Sequence, residues 1–365
     1  MRYVGDAGYS HDGAGGAAVL LVNLGTPDAP TTGAVRRYLA EFLWDPRVVE
    51  IPRPIWWLIL NGVILPLRPG RTAAAYKKIW TEEGSPLLVN AQRQRDALEQ
   101  TLAQRIEGDL TIALAMRYGN PSIRDTLGAL RAARVSRLLV LPLYPQYCSA
   151  TTGSVFDAVS AELQRWRWVP ALRFVDHYHD DPRYVAALAQ SVREHWRKQS
   201  PGERLLFSFH GIPKRSVLAG DPYYCQCLKT ARLTAETLAL PAEQWAVSFQ
   251  SRLGRAEWLK PYTAELLPQW ARDGIRRVDV LCPGFSADCV ETLEEIAIRN
   301  REYFESAGGT TLSYIPALNA RADHISFLAD FALEQLQSWP EVDMPSDPEV
   351  IAERGRRARE LGASH

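Results

Sequence analysis

The sequence predicts an α/β protein made of two similar doubly wound, Rossmann-like halves, each with a parallel sheet flanked by helices. Two observations predict this fold. Short apolar runs of strand length alternate with longer segments of helical period, which is the pattern of βαβ units. Two pairs of strand ends also resemble each other, which indicates an internal repeat.

The clearest strands are five apolar runs at 17–22, 110–115, 138–143, 205–209 and 278–282. Helical periodicity marks the stretches 90–105, 181–198, 228–237 and 292–304. Near-continuous apolar strands are typical of parallel sheets that helices cover on both faces. No GxxxxGK[ST] loop and no GxSxG elbow occurs, which argues against a P-loop enzyme and against an α/β-hydrolase.

The repeat aligns LLVNLGTP at 20–27 with LFSFHGIP at 206–213, each an apolar strand that closes on Gly-x-Pro. It places His210 of the second half in the position that Leu24 holds in the first, so that the two face each other across a cleft between strand ends. The predicted organisation is a flexible leader at 1–16, a first half at 17–172, a second half at 173–339 and a charged tail at 340–365.

Composition excludes several classes of protein. The 365 residues include 42 lysines and arginines and 42 aspartates and glutamates, a balance that gives no reason to expect nucleic acid as a partner. With 46% hydrophobic and 23% charged residues, neither a disordered chain nor a fibre is expected.

The pattern GAGGAA at 13–18 fits a relaxed dinucleotide-binding fingerprint. It precedes the first strand instead of following one, so we do not assign it that role.

His210 ends a predicted strand just before Gly211 and Pro213, at the edge of the sheet where α/β proteins place site residues. A single histidine is more often a structural group than a ligand. A core histidine, however, would lie within the strand and not at its tip before a Gly-x-Pro turn. We therefore interpret His210 as a candidate functional residue.

The segment PGFSADCVETLEE at 283–295 runs from a strand end into a helix. Glu291 and Glu295 are four residues apart and share one helix face. The alternatives are a solvated acidic face or favourable carboxylates in a first helical turn, and we adopt them for Glu294. For Glu291 and Glu295 the position at a strand's carboxyl end predicts that they lie opposite His210. An imidazole and carboxylates suit Fe²⁺ and equally suit proton removal.

The segment 44–67 contains Trp44, Trp56 and Trp57 in an apolar stretch with cationic flanks. Its longest apolar run, 55–67, is shorter than the roughly 18 to 20 residues that cross a bilayer. Aromatic rings and flanking arginines are typical of an interfacial element that lies on a membrane surface. The alternative is a buried core helix.

Five cysteines are scattered along the chain, at 148, 225, 227, 282 and 289, without a signal peptide, so we expect a cytoplasmic protein without a disulfide framework. Cys225 and Cys227 are separated by one residue, which is too close for the usual CxxC metal-binding motif. Ordinary thiols are our main interpretation. An iron–sulfur cluster whose ligands converge in space is the alternative.

Together these motifs resemble the ferrochelatases, which insert ferrous iron into protoporphyrin at the last step of haem synthesis. The resemblance runs from about residue 18 to about 330 through LLVNLGTPDAPT, VVEIPRPIWWLILNGVILPLR, AMRYGNPSI, FSFHGIPKRSVLAGDPYYCQC and CPGFSADCVETLEEIAIRNREYF. In detail it is similar to the proteobacterial branch. It implies a chelatase-like fold and an ATP-independent lyase.

The resemblance implies that His210 and Glu291 are the catalytic and metal-handling pair, and that Glu295 continues an acidic line for metal or protons. The residues it assigns to the porphyrin pocket, besides Leu24 opposite His210, are Arg117, Tyr118, Trp258 and Phe285, and those that match propionate-binding positions are Arg68, Arg71, Tyr76 and Ser85. The 44–67 segment would be an apolar lip of the pocket. It would rest peripherally on the cytoplasmic face of the inner membrane, which supplies the water-insoluble protoporphyrin.

Three departures limit the transfer. No cysteine follows Cys289, and Cys148 lies one position before the cysteine that cluster-bearing members use as a ligand, so we expect no [2Fe-2S] cluster and no cofactor beyond the substrate Fe²⁺. Cys289 also replaces a histidine of the animal enzymes, so a metal route through that histidine is not transferred. The alternative functions are a non-catalytic porphyrin or haem carrier, or a chelatase for cobalt or for coproporphyrin.

Overall fold

The computed structural model describes residues 3–5, 10, 15–254, 256–344 and 347–363. These residues form two four-stranded parallel sheets. The first contains β1 Gly16–Thr26, β2 Leu110–Gly119, β3 Val135–Pro142 and β4 Ala171–Phe174, and the second contains β5 Arg204–His210, β6 Trp245–Gln250, β7 Arg277–Leu281 and β8 Thr311–Ile315. The orders are β2-β1-β3-β4 and β6-β5-β7-β8, so the predicted repeat is present as identical topology.

The five predicted strands are β1, β2, β3, β5 and β7, and each has the apolar character that burial on both faces requires. Every residue at 17–22 in β1 is 0% exposed. The strands that periodicity missed are β4, β6 and β8. Each is an edge strand or carries polar residues, and β4 is only four residues long with half of them exposed.

Helices cover both sheets. In the first half they are α1 Thr32–Trp44, α2 Arg53–Ile59, α3 Leu65–Leu67, α4 Pro69–Ile79, α5 Pro86–Ala103, α6 Ile123–Ala132 and α7 Ser154–Leu163. The others are α8 Pro182–Lys198, α9 Lys214–Leu218, α10 Tyr223–Thr237, α11 Thr263–Arg272, α12 Arg301–Ser306, α13 Ala322–Leu336, α14 Pro340–Asp343 and α15 Pro348–Glu360. Side-chain caps start several of them: Thr31 accepts from Ala34 N, and Asp181 accepts from Arg183 N.

Three segments of the described chain are π-helical: Leu60–Ile64, Ser149–Gly153 and Glu291–Asn300. The third corrects the prediction of an α-helix over 292–304, because α-helical bonding begins only at Arg301. Widened helical turns of this kind occur frequently at functional sites. The charged tail is helical in α15, which includes the ERGRRARE portion at 353–360.

The two halves share one hydrophobic core. One buried cluster includes Leu21 of β1 and Phe207 of β5, together with Phe327 of α13. The strand β4, at Ala171–Phe174, crosses the predicted boundary between residues 172 and 173, and we therefore propose that the halves meet in the connection 175–181.

Part of the leader is attached to the first half. Val4 N donates to Arg165 O and Arg167 N donates to Val4 O. Val4 is therefore held in place, whereas the sequence predicted a flexible leader. Most of the predicted leader, including Gly13 of the dinucleotide-like pattern, lies outside the described residues. Within the described part of the chain, no helix is long and apolar enough to cross a membrane.

Candidate active site

His210 is the last residue of β5 and is half-buried. Its Nδ1 lies 2.7 Å from Gly211 O, and its own carbonyl accepts a hydrogen bond of 2.9 Å from Tyr223 Oη. Because a carbonyl oxygen only accepts, Nδ1 carries the proton in the neutral ring, and the lone pair is on Nε2. The Trp258 ring centroid lies 6.3 Å from the imidazole centroid. The fold therefore presents an oriented imidazole whose Nε2 is the basic atom.

Gln250 connects His210 to Glu291. It ends β6 directly opposite His210 in the parallel ladder. Its Nε2 donates to Glu291 O at 2.8 Å, and its Oε1 accepts from Ser208 Oγ at 2.8 Å. The side chain is only 2% exposed. The structure thus brings the first turn of the acidic helix beside the end of β5, and sequence reasoning missed the glutamine that does so. Because β6 was not among the predicted strands, its position at a strand end gave no signal.

The Glu291 side chain faces aromatic hydroxyl groups of the first half. Burial raises the pKa of Tyr76 well above its usual value, and the negative charge of Glu291 adds to the rise. Burial also raises the pKa of Tyr38, with smaller contributions from Tyr76 and Glu291. Among the described residues the Glu291 carboxylate has no ion-pair partner. The carboxylate therefore lies near enough to these first-half tyrosines to affect their pKa values, and its placement opposite His210 stays a prediction.

Glu295 is held by the loop after β6. Ser251 N donates to Glu295 Oε1 at 2.8 Å, and Ser251 Oγ donates to Oε2 at 2.5 Å. Ser251 has φ of 65°, a left-handed conformation that is uncommon for a residue with a side chain. Its amide and hydroxyl therefore fix the second carboxylate of the acidic line, a role that the sequence did not reveal.

Glu294 lies in the first turn of the acidic helix, as one of the two alternatives expected, but it is not on a solvated face. It is 5% exposed, and its oxygens pair with Lys78 of α4 at 3.1 Å and with Arg299 at 2.9 Å. The π-helix turns this side chain toward the first half, where Lys78 neutralises it. Glu294 therefore binds the acidic helix to α4 and does not belong to the open acidic line.

Arg117 and Tyr118 belong to a closed polar network. Arg117 Nη2 lies 2.5 Å from Asp45 Oδ2, and its Nε donates to Ser154 Oγ at 2.6 Å. Tyr118 is 0% exposed and its hydroxyl donates to the same Asp45 oxygen at 2.9 Å. Burial alone would raise the pKa of Asp45, but hydrogen bonds from Ser154 and from Arg47 N and the charge of Arg117 lower it overall. In this conformation the two side chains hold Asp45 and Ser154 in place. Their direct contact with a ligand stays a prediction.

The four predicted propionate contacts differ in accessibility. Arg71 is exposed and Arg68 is half-buried, while Tyr76 and Ser85 are buried. Ser85 Oγ accepts a hydrogen bond of 2.7 Å from Thr26 Oγ1. Burial lowers the pKa of Arg68, and no acidic partner lies within ion-pair distance of it among the described residues. A half-buried guanidinium without a carboxylate partner is suited to bind one from a ligand.

Three predicted apolar contacts line the strand ends. Leu24 is half-buried and packs on the hydrophobic clusters of both the first sheet and the lip. Trp258 packs over Gly211, where a Cβ would lie 3.1 Å from its ring. Phe285 packs on Cys289 and on the second sheet. Trp258 lies beside His210 and Phe285 packs near the start of the acidic helix, whereas the position of Leu24 opposite His210 stays a prediction.

The lip is amphipathic. Trp56, Leu60 and Leu65 are buried against α1 and α4, so part of the segment packs as the core-helix alternative expected. Its other face exposes large apolar side chains, namely Trp44, Ile55, Trp57, Leu58, Val63 and Leu67, at 42 to 77%. An exposed apolar patch of this kind marks a surface that contacts lipid, ligand or protein.

The cysteines are all free thiols. Burial raises the pKa of Cys148 to about 12 and keeps the Cys227, Cys282 and Cys289 thiols protonated as well. Within the described residues, the one group of three convergent metal-ligand side chains contains no cysteine. The expectation of no iron–sulfur cluster stays a prediction.

Comparison with known proteins identifies the family. The ferrochelatase family model matches residues 16–336. The chain is 56% identical to the ferrochelatase of Thioalkalivibrio sulfidiphilus over 364 residues, covering 99% of each chain. It is 53% identical to that of Nitrosococcus oceani over 360 residues, covering 99% of this chain and 98% of the relative.

Solved structures agree in fold. SirB from Bacillus subtilis with Fe³⁺ superposes with a TM-score of 0.53 at 11% identity, covering 90% of this chain and 99% of SirB. The cobalt complex of the sirohydrochlorin chelatase SirB from Bacillus subtilis subspecies spizizenii gives a TM-score of 0.50 at 10% identity, covering 88% and 97%. These likenesses support the chelatase-like fold alone. The family match and the identities over nearly the whole length show that the chain belongs to the ferrochelatase family.

Proposed function

We propose that the protein is a lyase of haem biosynthesis that inserts Fe²⁺ into protoporphyrin IX, releasing two protons and giving protohaem. The observation that carries this proposal is the link from His210 through Gln250 to Glu291. It places the backbone of Glu291, whose carboxylate has no ion-pair partner among the described residues, next to the strand end that carries an oriented imidazole, in a ferrochelatase-family fold. Family membership supports the reaction, and the geometry supports the roles of the residues.

The reaction must move two protons from pyrrole nitrogens while the iron enters the ring. Nε2 of His210 is the basic atom of an imidazole fixed through its Nδ1, so it can accept a proton without reorienting. Glu291 can accept a second proton or hold Fe²⁺, because imidazole and carboxylate ligands both suit ferrous iron. Glu295, fixed by Ser251, continues the acidic line away from the ring.

Residues of both halves would bind the porphyrin. Arg68 supplies a guanidinium for a propionate, and Arg71 lies on the same helix start at an exposed position. Leu24, Trp258 and Phe285 offer apolar surface to the macrocycle. Binding energy from these remote contacts can sustain a bent ring whose nitrogen lone pairs project toward Nε2 of His210.

Protoporphyrin is favoured over the more acidic coproporphyrin by the exposed apolar face of the lip. A water-insoluble porphyrin has to be delivered from lipid, and an amphipathic segment with exposed tryptophans can rest at a membrane surface. We therefore propose peripheral contact with the cytoplasmic face of the inner membrane. Cobalt insertion would use the same ligands, because metal preference depends on geometry and availability.

The reaction is tested by mixing protein, protoporphyrin IX and Fe²⁺ without oxygen and following the loss of the free-base spectrum, with and without ATP. We expect turnover that ATP does not change. Glu291→Gln is expected to lower kcat by about 100-fold or more, since a positioned acid–base group contributes about 10²- to 10⁴-fold. Glu302→Gln, an exposed carboxylate on the following helix, is the matched control.

Porphyrin binding without turnover would indicate the competing function, a non-catalytic carrier. Faster insertion into coproporphyrin than into protoporphyrin would replace the substrate assignment, and the same assay with Co²⁺ ranks the metals.

The lip is tested by cosedimentation with vesicles that contain anionic lipid. Trp57→Ser together with Leu58→Ser removes two exposed apolar side chains and is expected to weaken binding by about 10-fold or more, because each buried apolar side chain contributes about 1.5 to 3 kcal/mol. The control is the exposed pair Val350→Ser and Leu361→Ser on and just after α15. Equal binding of lip variant and wild type would contradict the membrane contact.

A further inference from the structure

The connection between β4 and α8, residues 175–181, carries polar side chains that the reaction does not use. Its backbone is fixed at both ends. Val175 N donates to Val140 O at 3.0 Å and Tyr178 N donates to Pro145 O at 2.9 Å. Asp181 then caps α8 by accepting from Arg183 N at 2.8 Å. The segment is therefore an ordered part of the fold.

Two histidines of this connection lie close together. Tyr178 is 2% exposed and packs on Tyr184 and Phe327 of the core. His177 and His179 flank it, and a turn closed by the hydrogen bond from Asp181 N to Tyr178 O follows at 179–180. The ring centroids of the two histidines are 5.0 Å apart. Two imidazoles therefore lie side by side next to a buried tyrosine.

Asp180 completes a group of three metal-ligand side chains. One ligand atom from each of His177, His179 and Asp180 lies within 4.8 Å of the others. His179 is 5% exposed, whereas the His177 side chain is 38% exposed and leaves a path from solvent. The buried Nδ1 atoms of both histidines lack a hydrogen-bond partner in the described part of the chain.

The neighbouring charges do not satisfy these nitrogens. Asp176 Oδ2 lies 2.9 Å from His177 Nδ1 without the alignment of a hydrogen bond, and Asp180 Oδ1 lies 3.7 Å from His179 Nδ1. Lys229 of α10 pairs with Asp180 Oδ2 at 2.6 Å. Buried polar atoms are nearly always partnered, so two adjacent unpartnered imidazole nitrogens indicate a ligand.

We propose that His177, His179 and Asp180 bind a divalent transition-metal cation, at a site separate from His210 and Glu291. Two imidazoles and one carboxylate are a donor set that suits Zn²⁺, Fe²⁺ or Ni²⁺ better than Mg²⁺ or Ca²⁺. Bound metal would replace Lys229 as the partner of Asp180 and would brace the connection between the halves.

Calorimetric titration with Zn²⁺ in the absence of porphyrin tests the proposal. The background is His210→Ala with Glu291→Gln, so that the proposed reaction site does not contribute. We expect one Zn²⁺ per chain. Adding His177→Asn at the partly exposed ligand should weaken binding at least about 100-fold, since even outer-shell changes cost roughly 10- to 100-fold. Asp180→Asn is the second ligand variant, and melting curves verify that each variant is folded.

His195→Asn is the matched control, because this half-buried histidine also lies near a carboxylate, Asp279, but outside the group. It should leave Zn²⁺ binding unchanged. Lys229→Met should tighten binding by removing a competing cation next to Asp180. The proposal is overturned if the background binds no Zn²⁺, or if His177→Asn and Asp180→Asn bind it as tightly as the background does.

Discussion

The two halves of the molecule have the same scaffold and different chemistry. Each has the strand order 2-1-3-4 in its own numbering, and each has a π-helix after its third strand, Ser149–Gly153 in one and Glu291–Asn300 in the other. The repeat aligns Leu24, two residues before the end of β1, with His210, the last residue of β5. The shared strand order therefore leads us to expect an apolar side chain on one side of the cleft and a base on the other.

The polar groups at these strand ends also differ in how completely they are satisfied. In the first half, Asp45 accepts from Arg117, Tyr118 and Ser154, so the network is closed. In the second half, the Glu291 carboxylate has no ion-pair partner among the described residues, and the buried glutamine Gln250 only positions its backbone. A network whose polar groups are all hydrogen-bonded forms a rigid surface for a ligand. A carboxylate without an ion-pair partner is available to exchange protons and metal.

The largest effect expected from this comparison is on turnover. His210→Ala should lower kcat for protohaem formation by about 10²- to 10⁴-fold, because it removes a positioned base. The matched change at the equivalent strand end, Leu24→Ala, should mainly raise KM. Fluorescence quenching measures porphyrin binding, which His210→Ala should leave nearly intact. Substantial turnover by His210→Ala would remove the chemical distinction between the halves.

The next effect is on stability and concerns the closed network. Asp45→Asn leaves the Arg117 guanidinium without its counter-charge, and loss of one partner of a buried ion pair costs about 3 to 5 kcal/mol. Urea unfolding measures the loss. Glu41→Gln, which changes an exposed carboxylate of α1 that accepts from Gly119 N, is the control and should cost much less. A small loss of unfolding free energy in Asp45→Asn would mean that the first-half network does not stabilise the fold.

A smaller effect is the pH dependence of stability that comes from His324, a buried histidine outside the proposed reaction site. Burial lowers the pKa of His324 in α13 to about 4, and its Nδ1 donates to Asn319 O. Because the unfolded chain binds this proton near pH 6.5 and the folded chain does not, stability falls as the pH drops from about 6.5 to 4, by about 3 kcal/mol for this group. Unfolding midpoints measured from pH 7 to pH 4 should show a shallower fall in His324→Asn. Parallel curves for the two proteins would contradict this assignment.

The sequence alone determined the scaffold and the most conspicuous site residues. Apolar strands such as 17–22 are recognisable because both of their faces are buried. The repeat and the family motifs mark His210 at the end of β5, and the family motifs mark Glu291 at the start of the helix that follows β7. The short or polar strands β4, β6 and β8 were missed because neighbouring strands, and not their own composition, stabilise them.

Only the tertiary structure decided which polar groups meet. Gln250, Ser251 and Lys78 find Glu291, Glu295 and Glu294 across gaps of tens to hundreds of residues, and no local pattern encodes such pairings. The same holds for the π-helical turns that send Glu294 into an ion pair and leave Glu291 open. A side chain's type is local information, but its partner depends on packing between distant segments, and the partner decides whether a charge is structural or reactive.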